Sequence, residues 1–327
     1  MRRRDLLCAA GLAPLAACRR SQTGPLQTIK FGVQPFPGMS VFYLGLERGY
    51  FRDAGLDIQT EVLTSGSQVS SALASGQLDA ALNSSGPGMF NLVARGGPLR
   101  IVMGREVISP VCGDAAVVYA RKKVFPEGTG DIRRWIGKHF STGNKTGLGE
   151  YFLDTILTSA GLDPKKIQRT SLSAAEAAAA ITSGAIDAVL NATNLRLGLD
   201  SRPEIVRETA GATAIDQLQY SYVYFGPRLL AADPAIGASV LRAYLRASRE
   251  FVTGATPQFL KDYVTSKGLN SSVLQECRSS FTPDGSIETK DLQVAIDWAV
   301  SRQYVEKGLS AESVIDRRFW DLARAKA

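Results

Sequence analysis

One pattern occurs twice in this chain, and it limits the fold more than any other feature. Gln68 to Ser85 reads QVSSALASGQLDAALNSS, and Glu176 to Thr193 reads EAAAAITSGAIDAVLNAT. Aligned without a gap, the copies share Ala72/Ala180, Ser75/Ser183, Gly76/Gly184, Asp79/Asp187, Ala80/Ala188, Leu82/Leu190 and Asn83/Asn191. Alanine content and a closing glycine predict a helix in each copy. The short apolar runs LDAAL and IDAVL, bounded by turn residues, predict a strand after it. A unit found once in each half implies two similar lobes, because a solenoid needs three or more repeats. In open α/β sheets ligands bind beyond the carboxyl ends of the strands. Ser84 and Ser85 in the first copy, and Thr193 and Asn194 in the second, are therefore candidate ligand contacts, or else caps of the helices that follow. Asp79 and Asp187 open their strands at equivalent places. That equivalence argues for a structural turn role and against a paired acid–base site.

The rest of the chain fits around these units. Thr28 to Val33 reads as a first strand, followed by the loop QPFPGMS from Gln34 to Ser40. A helix is predicted over Val41 to Phe51 with Ser40 as its N-cap, then a strand over Asp57 to Leu63. The polar loop Thr64 to Ser67 leads into the first copy; a helix near Pro87 to Arg95 and a strand near Leu99 to Gly104 follow. This alternation predicts a parallel, doubly wound lobe. Asp114 to Ala120 reads as a strand crossing into a second lobe. There, strands are expected over Lys138 to Thr142, Lys166 to Leu172 and Glu204 to Thr209, with helices over Ile132 to Gly137 and Glu150 to Ala160. Tyr220 to Phe225 reads as a return strand. From Asp233 the chain is predicted helical: Pro234 to Thr253, Pro257 to Lys267, Ser271 to Ser280, Thr289 to Lys307 and Ala311 to Phe319.

Composition excludes several functions. With 327 residues there is room for two domains, and the formal net charge is +7. Arg2, Arg3, Arg4 and Asp5 supply +2 of that, so a chain starting at Cys18 would carry about +5. No basic run is interleaved with aromatics, so nucleic acid is not an expected partner. The single histidine, His139, and the four cysteines show neither C-x-x-C nor H-E-x-x-H spacing, which argues against zinc. No cofactor is expected. A serine triad would need His139, which sits at a predicted strand start where a structural role is the better reading. Cys112 and Cys277 read as buried thiols in preference to a disulfide, although export would permit one.

Gly143 to Gly149, GNKTGLG, precedes a predicted helix and carries Lys145 and Thr146. It matches neither a Walker A loop nor G-x-G-x-x-G. It is a candidate anion-binding turn, or a plain strand-to-helix turn. Tyr220, Tyr222 and Tyr224 alternate on one strand and share a face, lining either a cleft or the core.

Met1 to Cys18, MRRRDLLCAAGLAPLAAC, has the basic start, short apolar stretch and small residues of an export signal. Leu15-Ala16-Ala17-Cys18 resembles a bacterial lipobox, which implies cleavage before Cys18 and lipidation of its sulfur. Arg3-Arg4-Asp5-Leu6-Leu7 also resembles a twin-arginine signal. Residues 1–17 are thus expected to be removed, and 18–27 to act as a tether.

Taken together, the chain resembles bacterial ABC-transporter substrate-binding proteins of the nitrate/sulfonate/taurine and thiamine-precursor group, lipoprotein type. The carrying residues are Leu44 to Asp57, LGLERGYFRDAGLD; Ala72 to Ala80, ALASGQLDA; and Gly184 to Ala188, GAIDA. The resemblance implies a two-lobe α/β periplasmic-binding-protein fold of type II, each lobe a doubly wound, mostly parallel sheet, with a helical C-terminal region. Residues 28–113 and about 222–327 would form lobe 1, and about 114–221 lobe 2. It implies a small-molecule ligand held between the lobes, no catalysis, a monomer, and a membrane permease with its ATPase as partners. By position the contacts would come from Phe36, Ser40, Ser65, Gly66, Ser67, Ser84, Ser85, Thr142, Asn144, Lys145, Thr146, Asn191, Thr193 and Asn194. Uncharged donors and helix dipoles can hold an anion, and Lys145 would add a charge. No cleft arginine is evident. Some relatives of this fold act as desulfinases or in pyrimidine synthesis. Cys112, near the presumed first crossover, is the residue that keeps such an enzyme reading open.

Overall fold

The computed structural model describes residues 25–34, 37–112, 115–190, 199–266, 268 and 270–325. Its strands are β1 (Gln27–Val33), β2 (Leu56–Val62), β3 (Ala80–Ser84), β4 (Arg100–Val107), β5 (Val118–Arg121), β6 (His139–Ser141), β7 (Gln168–Thr170), β8 (Ala188–Leu190), β9 (Ile205–Glu208) and β10 (Gln219–Phe225). They form two five-stranded sheets, ordered β2-β1-β3-β10-β4 and β7-β6-β8-β5-β9. β1 pairs in parallel with β2 and β3, and β6 with β7 and β8. β10 runs antiparallel to β3 and β4, and β5 antiparallel to β8 and β9. Each sheet is therefore mostly parallel. The one antiparallel strand in each is the one that enters as the chain crosses from the other lobe. Helices α1 (Ser40–Glu47), α2 (Tyr50–Asp53), α3 (Gly66–Ala74), α4 (Pro87–Ala94), α5 (Leu148–Ser159) and α6 (Ala174–Ser183) connect and cover the strands.

The repeat explains how each lobe is pinned. Asp79 Oδ2 accepts from the backbone N–H of Lys30 at 2.7 Å, and the Asp79 N–H donates to the Lys30 carbonyl at 2.9 Å. Asp187 Oδ2 accepts from the N–H of His139 at 3.0 Å, and its own N–H donates to the His139 carbonyl at 2.8 Å. Both carboxylates thus lock the start of the repeat's strand to a parallel neighbour. Each also meets an arginine, Arg228 at Asp79 and Arg121 at Asp187. These are structural roles, and His139 shares one of them.

Local chemistry moves several boundaries. The predicted helix from Val41 breaks at Gly49, whose φ of 70° is left-handed, so α1 and α2 are separate. Ser40 is not the N-cap: Met39 holds that position, after a 3₁₀ turn over Pro37–Met39, and Ser40 is the first helical residue and fully buried. β5 starts at Val118, and the helix expected to reach Lys307 ends at Ser301.

The C-terminal helices dock on the first lobe. Helix Thr289–Ser301 is fixed to β10 by Gln219, whose N–H donates to Asp291 Oδ2 at 2.8 Å and whose Oε1 accepts from the Glu288 N–H at 2.8 Å. Asn91 of α4 donates to the Tyr304 carbonyl at 2.7 Å. Phe90, Ile101, Leu292 and Ile296 share one core. Cys112 and Cys277 form a disulfide, which corrects the reading as free thiols. They are 165 residues apart in sequence, yet the segment after β4 and the turn after helix Val273–Glu276 pack side by side, with Cα atoms 4.0 Å apart.

Candidate ligand-binding cleft

The carboxyl ends of the parallel strands in the two sheets face each other across a cavity of about 350 Å³. Gln34 follows β1 into it, Ser84 ends β3, Ser141 ends β6, and Val189 and Leu190 belong to β8. This is where an open α/β sheet presents ligand contacts, and the volume lies in the range of small-molecule sites.

On the first-lobe wall the charged pair is Arg105 and Glu106, both about 5–6% exposed. Adjacent strand residues ordinarily face opposite ways. Here the register slips: Ser221 of β10 opposes Glu106, while Tyr222 opposes Gly104. The bulge lets the neighbouring side chains pair with each other. Arg105 also donates through Nε and Nη2 to Ser221 Oγ at 3.0 and 2.7 Å, and through Nη1 to the Gly38 carbonyl at 2.6 Å. Burial pushes the Glu106 carboxyl above the usual carboxylate range, and the Arg105 charge offsets part of that rise. Gly104 is required by close approach: a Cβ there would lie 1.9 Å from the Ser286 carbonyl oxygen.

Among the described residues the second-lobe wall is uncharged. Ser141 is fully buried, and its hydroxyl has no hydrogen-bond partner among the described residues. Thr142 is also buried and donates to Glu150 Oε1 at 2.7 Å. Gly143, Asn144 and Gly147 line the cavity next to it. The N-cap of α5 is Gly147, with no side-chain cap hydrogen bond, and Gly147, Leu148 and Gly149 at this end of the helix line the cavity. Gly149 lets α5 sit directly on the strand end; a Cβ there would lie 2.0 Å from the Thr142 carbonyl oxygen. Tyr220 lines the cavity and packs edge-on against Phe152, while Tyr222 and Tyr224 are core residues.

Of the sequence-predicted contacts, Ser84, Thr142 and Asn144 line this cavity. Ser85 and Thr146 instead line a small crevice between α4, α5 and helix Thr289–Ser301. Ser40 is buried and does not line the cavity. Ser65, Gly66 and Ser67 form the cap of α3: Ser65 Oγ accepts from the Gln68 N–H at 3.3 Å, and the Gly66 carbonyl accepts from the Asn83 amide at 2.9 Å. Lys145 does not line the cavity; its carbonyl accepts from Tyr304 Oη at 3.3 Å. Phe36, Asn191, Thr193 and Asn194 lie outside the described residues, as does Cys18. Sequence reasoning missed Arg105, Glu106 and Ser141. The available signal was Gly104, since a glycine inside a strand marks a bulge or a close approach. The expectation that the cleft lacks an arginine is overturned by Arg105. Cys112 lines the cavity but is bonded to Cys277, so in this form it offers no thiolate for nucleophilic chemistry.

The family model described as NMT1/THI5 like matches residues 37–254. The chain belongs to the NMT1/THI5-like family. No curated protein matches it in sequence. Its fold is similar to that of the periplasmic aliphatic sulphonate binding protein SsuA from Escherichia coli, with a TM-score of 0.70 at 19% identity over 89% of this chain and 92% of that one. It is also similar to the alkanesulfonate-binding protein SsuA from Xanthomonas axonopodis pv. citri bound to MOPS, with a TM-score of 0.66 at 16% identity over 90% and 99%. A third similar structure is the periplasmic nitrate-binding protein NrtA from Synechocystis PCC 6803, with a TM-score of 0.65 at 10% identity over 92% and 89%. At these identities the likeness establishes the fold: this NMT1/THI5-like chain has the two-lobe periplasmic-binding-protein architecture.

Proposed function

We propose that the protein is the extracytoplasmic solute-binding component of an ABC importer. It would capture a small organic molecule between its lobes and deliver it to a membrane permease driven by an ATPase. The observation that carries this reading is the cavity at the facing carboxyl ends of the two sheets, lined by both polar and apolar side chains, with the buried Ser141 hydroxyl on its wall unpartnered among the described residues. A buried hydroxyl left without a partner costs about 1–3 kcal/mol, and a polar ligand group would recover that. The family and the similar solute-binding structures point the same way. The chain would divide near residues 114 and 222, work as a monomer, and be tethered at a lipidated Cys18 after loss of residues 1–17.

The ligand we propose is partly anionic. Arg105 supplies the cationic wall, and the α5 amides, Ser141 and Asn144 supply uncharged donors. Glu106 makes the pair formally neutral, so the cleft suits a ligand carrying a donor group beside its anionic one.

A thermal-shift screen of protein lacking residues 1–18, against sulfonates, taurine, nitrate, aromatic carboxylates, thiamine precursors and flavins, tests both statements. A bound ligand stabilises by about 2.7 kcal/mol at a hundredfold excess over its Kd. A stabilising compound recovered chemically unchanged supports the receptor. A compound converted to product overturns it. Stabilisation by neutral or cationic compounds alone overturns the ligand class.

A further inference from the structure

A chain of charged side chains runs from the cleft wall to the far lobe. Glu150 and Asp154 are four residues apart on α5 and share a face. Glu150 Oε1 accepts from the cleft hydroxyl of Thr142, and its Oε2 accepts from Arg169 Nη1 at 2.8 Å. Arg169 Nη2 lies 2.6 Å from Asp154 Oδ1, an ion pair without hydrogen-bond alignment. All of these belong to the second lobe. The other carboxylate oxygen of Asp154 faces helix Thr289–Ser301, which is docked on the first. Asp154 Oδ2 accepts from Trp298 Nε1 at 2.8 Å and from Arg302 Nε at 2.6 Å, and Arg302 Nη2 also contacts it. Trp298 and Arg302 are one turn apart, so both reach the same carboxylate. Arg302 is the C-cap of its helix, where a cation is favoured by the helix dipole. Tyr151 packs against Trp298 in a tilted contact, 5.2 Å between ring centroids.

We infer that Asp154, Trp298 and Arg302 form a closure latch between the lobes, and that Glu150 and Arg169 are positioning residues coupling it to Thr142 in the cleft. The charge count supports this. Glu150, Asp154 and Arg169 sum to −1 within the second lobe. Arg302 brings the sum to zero only when the lobes are together. Side-chain exposure of Asp154 is 6% with the lobes in this arrangement. Parting the lobes would return a carboxylate and a guanidinium to water and release the Trp298 N–H. A contact at Thr142 would act on Glu150, hence on the guanidinium that shares Asp154 with the latch. The meaning of this closure rests on the receptor reading, but its geometry can be measured without a ligand.

The experiment uses ligand-free protein. Small-angle scattering reads the lobe separation, and tryptophan emission reads Trp298, with Trp298→Phe identifying its share. Arg302→Gln should raise the open-to-closed ratio about tenfold or more, since loss of one partner of a buried charge pair is costly. The radius of gyration should rise and the Trp298 emission shift to the red, while far-UV circular dichroism stays unchanged. Arg302→Lys should restore part of both signals. Wild-type scattering and emission in folded Arg302→Gln would overturn the latch. Should Arg302→Gln fail to fold, Asp154→Asn supplies the same comparison. For the relay, the double variant Thr142→Val/Arg302→Gln should depart from the sum of the single effects on the open fraction. Additive effects would overturn the relay and leave the latch standing. No arm uses a ligand, so failure here leaves the receptor reading to the ligand screen.

Discussion

The molecule holds two buried charge clusters that differ in ownership. Arg105 and Glu106 are neighbours on β4, and their partners Ser221 and Gly38 all lie in the first lobe. The cluster at Asp154 takes Arg169 from one lobe and Arg302 from the other. The first is charge-balanced whatever the lobes do, so it is a fixed part of the cleft wall and suits recognition. The second is balanced only in the closed arrangement, so it suits a report of closure. The carboxylates of both are buried, while Arg302 is 28% exposed; what separates the clusters is whether the neutralising charge moves.

The largest effect should come from breaking the self-contained cluster. Glu106→Ala leaves Arg105 buried among neutral groups, and a guanidinium cannot shed its charge. We expect a loss of about 3–5 kcal/mol in urea unfolding. Arg105→Met should cost less, because the stranded Glu106 carboxyl can take up a proton. Equal costs, or the reverse order, would show that the pair is not held by buried charge. The disulfide lines the same cavity. Cys277 begins the short segment whose Thr282 N–H donates to the Arg105 carbonyl at 2.9 Å. Removing it with Cys112→Ser/Cys277→Ser should cost about 2–5 kcal/mol, while the cavity keeps its charge balance. A double variant as stable as wild type would detach this segment from the cluster's support.

A smaller effect sharpens the contrast within the repeat itself. Asp79 is almost fully buried against Arg228, whereas the Asp187 side chain is 25% exposed and its arginine is 3.8 Å away. Each still clamps the neighbouring strand through a backbone N–H. Asp79→Asn should therefore cost about 2 kcal/mol and Asp187→Asn about 1 kcal/mol. Identical losses would mean that the strand clamp sets the cost and the arginines contribute nothing.

The repeat made the two lobes and their pinning legible, because a helix, a glycine stop and a strand leave a local pattern. The cleft was legible only at the ends of expected strands, at Ser84 in the first copy of the repeat and at Thr142 and Asn144 after β6. Arg105 and Glu106 escaped because nothing local marks a charge as buried. Their burial depends on a bulge against β10, with Ser221 116 residues from Arg105. The expected strand ended at Gly104, one residue short of the pair. Asp154 and Arg302 are 148 residues apart and on opposite lobes. Each reads locally as an ordinary helix-surface charge. Lys145 was attractive for the opposite reason: it is a conspicuous cation in a glycine-rich turn, yet it does not line the cavity and its carbonyl is what meets Tyr304.

The finest test asks which force governs Glu106. Burial raises its carboxyl in the folded state above its unfolded value, and Arg105 offsets only part of that. The folded protein then binds the proton more tightly than the unfolded chain does. Its contribution to stability is complete below the unfolded glutamate pKa of about 4.3 and is lost as pH rises through the higher folded value. Glu106→Gln has no such proton and keeps an oxygen that can accept from Arg105. The stability of wild type relative to Glu106→Gln should therefore fall with rising pH just above that point and level off once the folded carboxyl is ionised. Urea unfolding of both proteins across pH 4–8 reads this difference directly. A relative stability that rises with pH would mean that Arg105 outweighs burial and holds the carboxylate charged. The cleft wall would then present a complete ion pair to the ligand. A falling one means that the proton, and with it a donor facing the cavity, is retained above the usual carboxylate range.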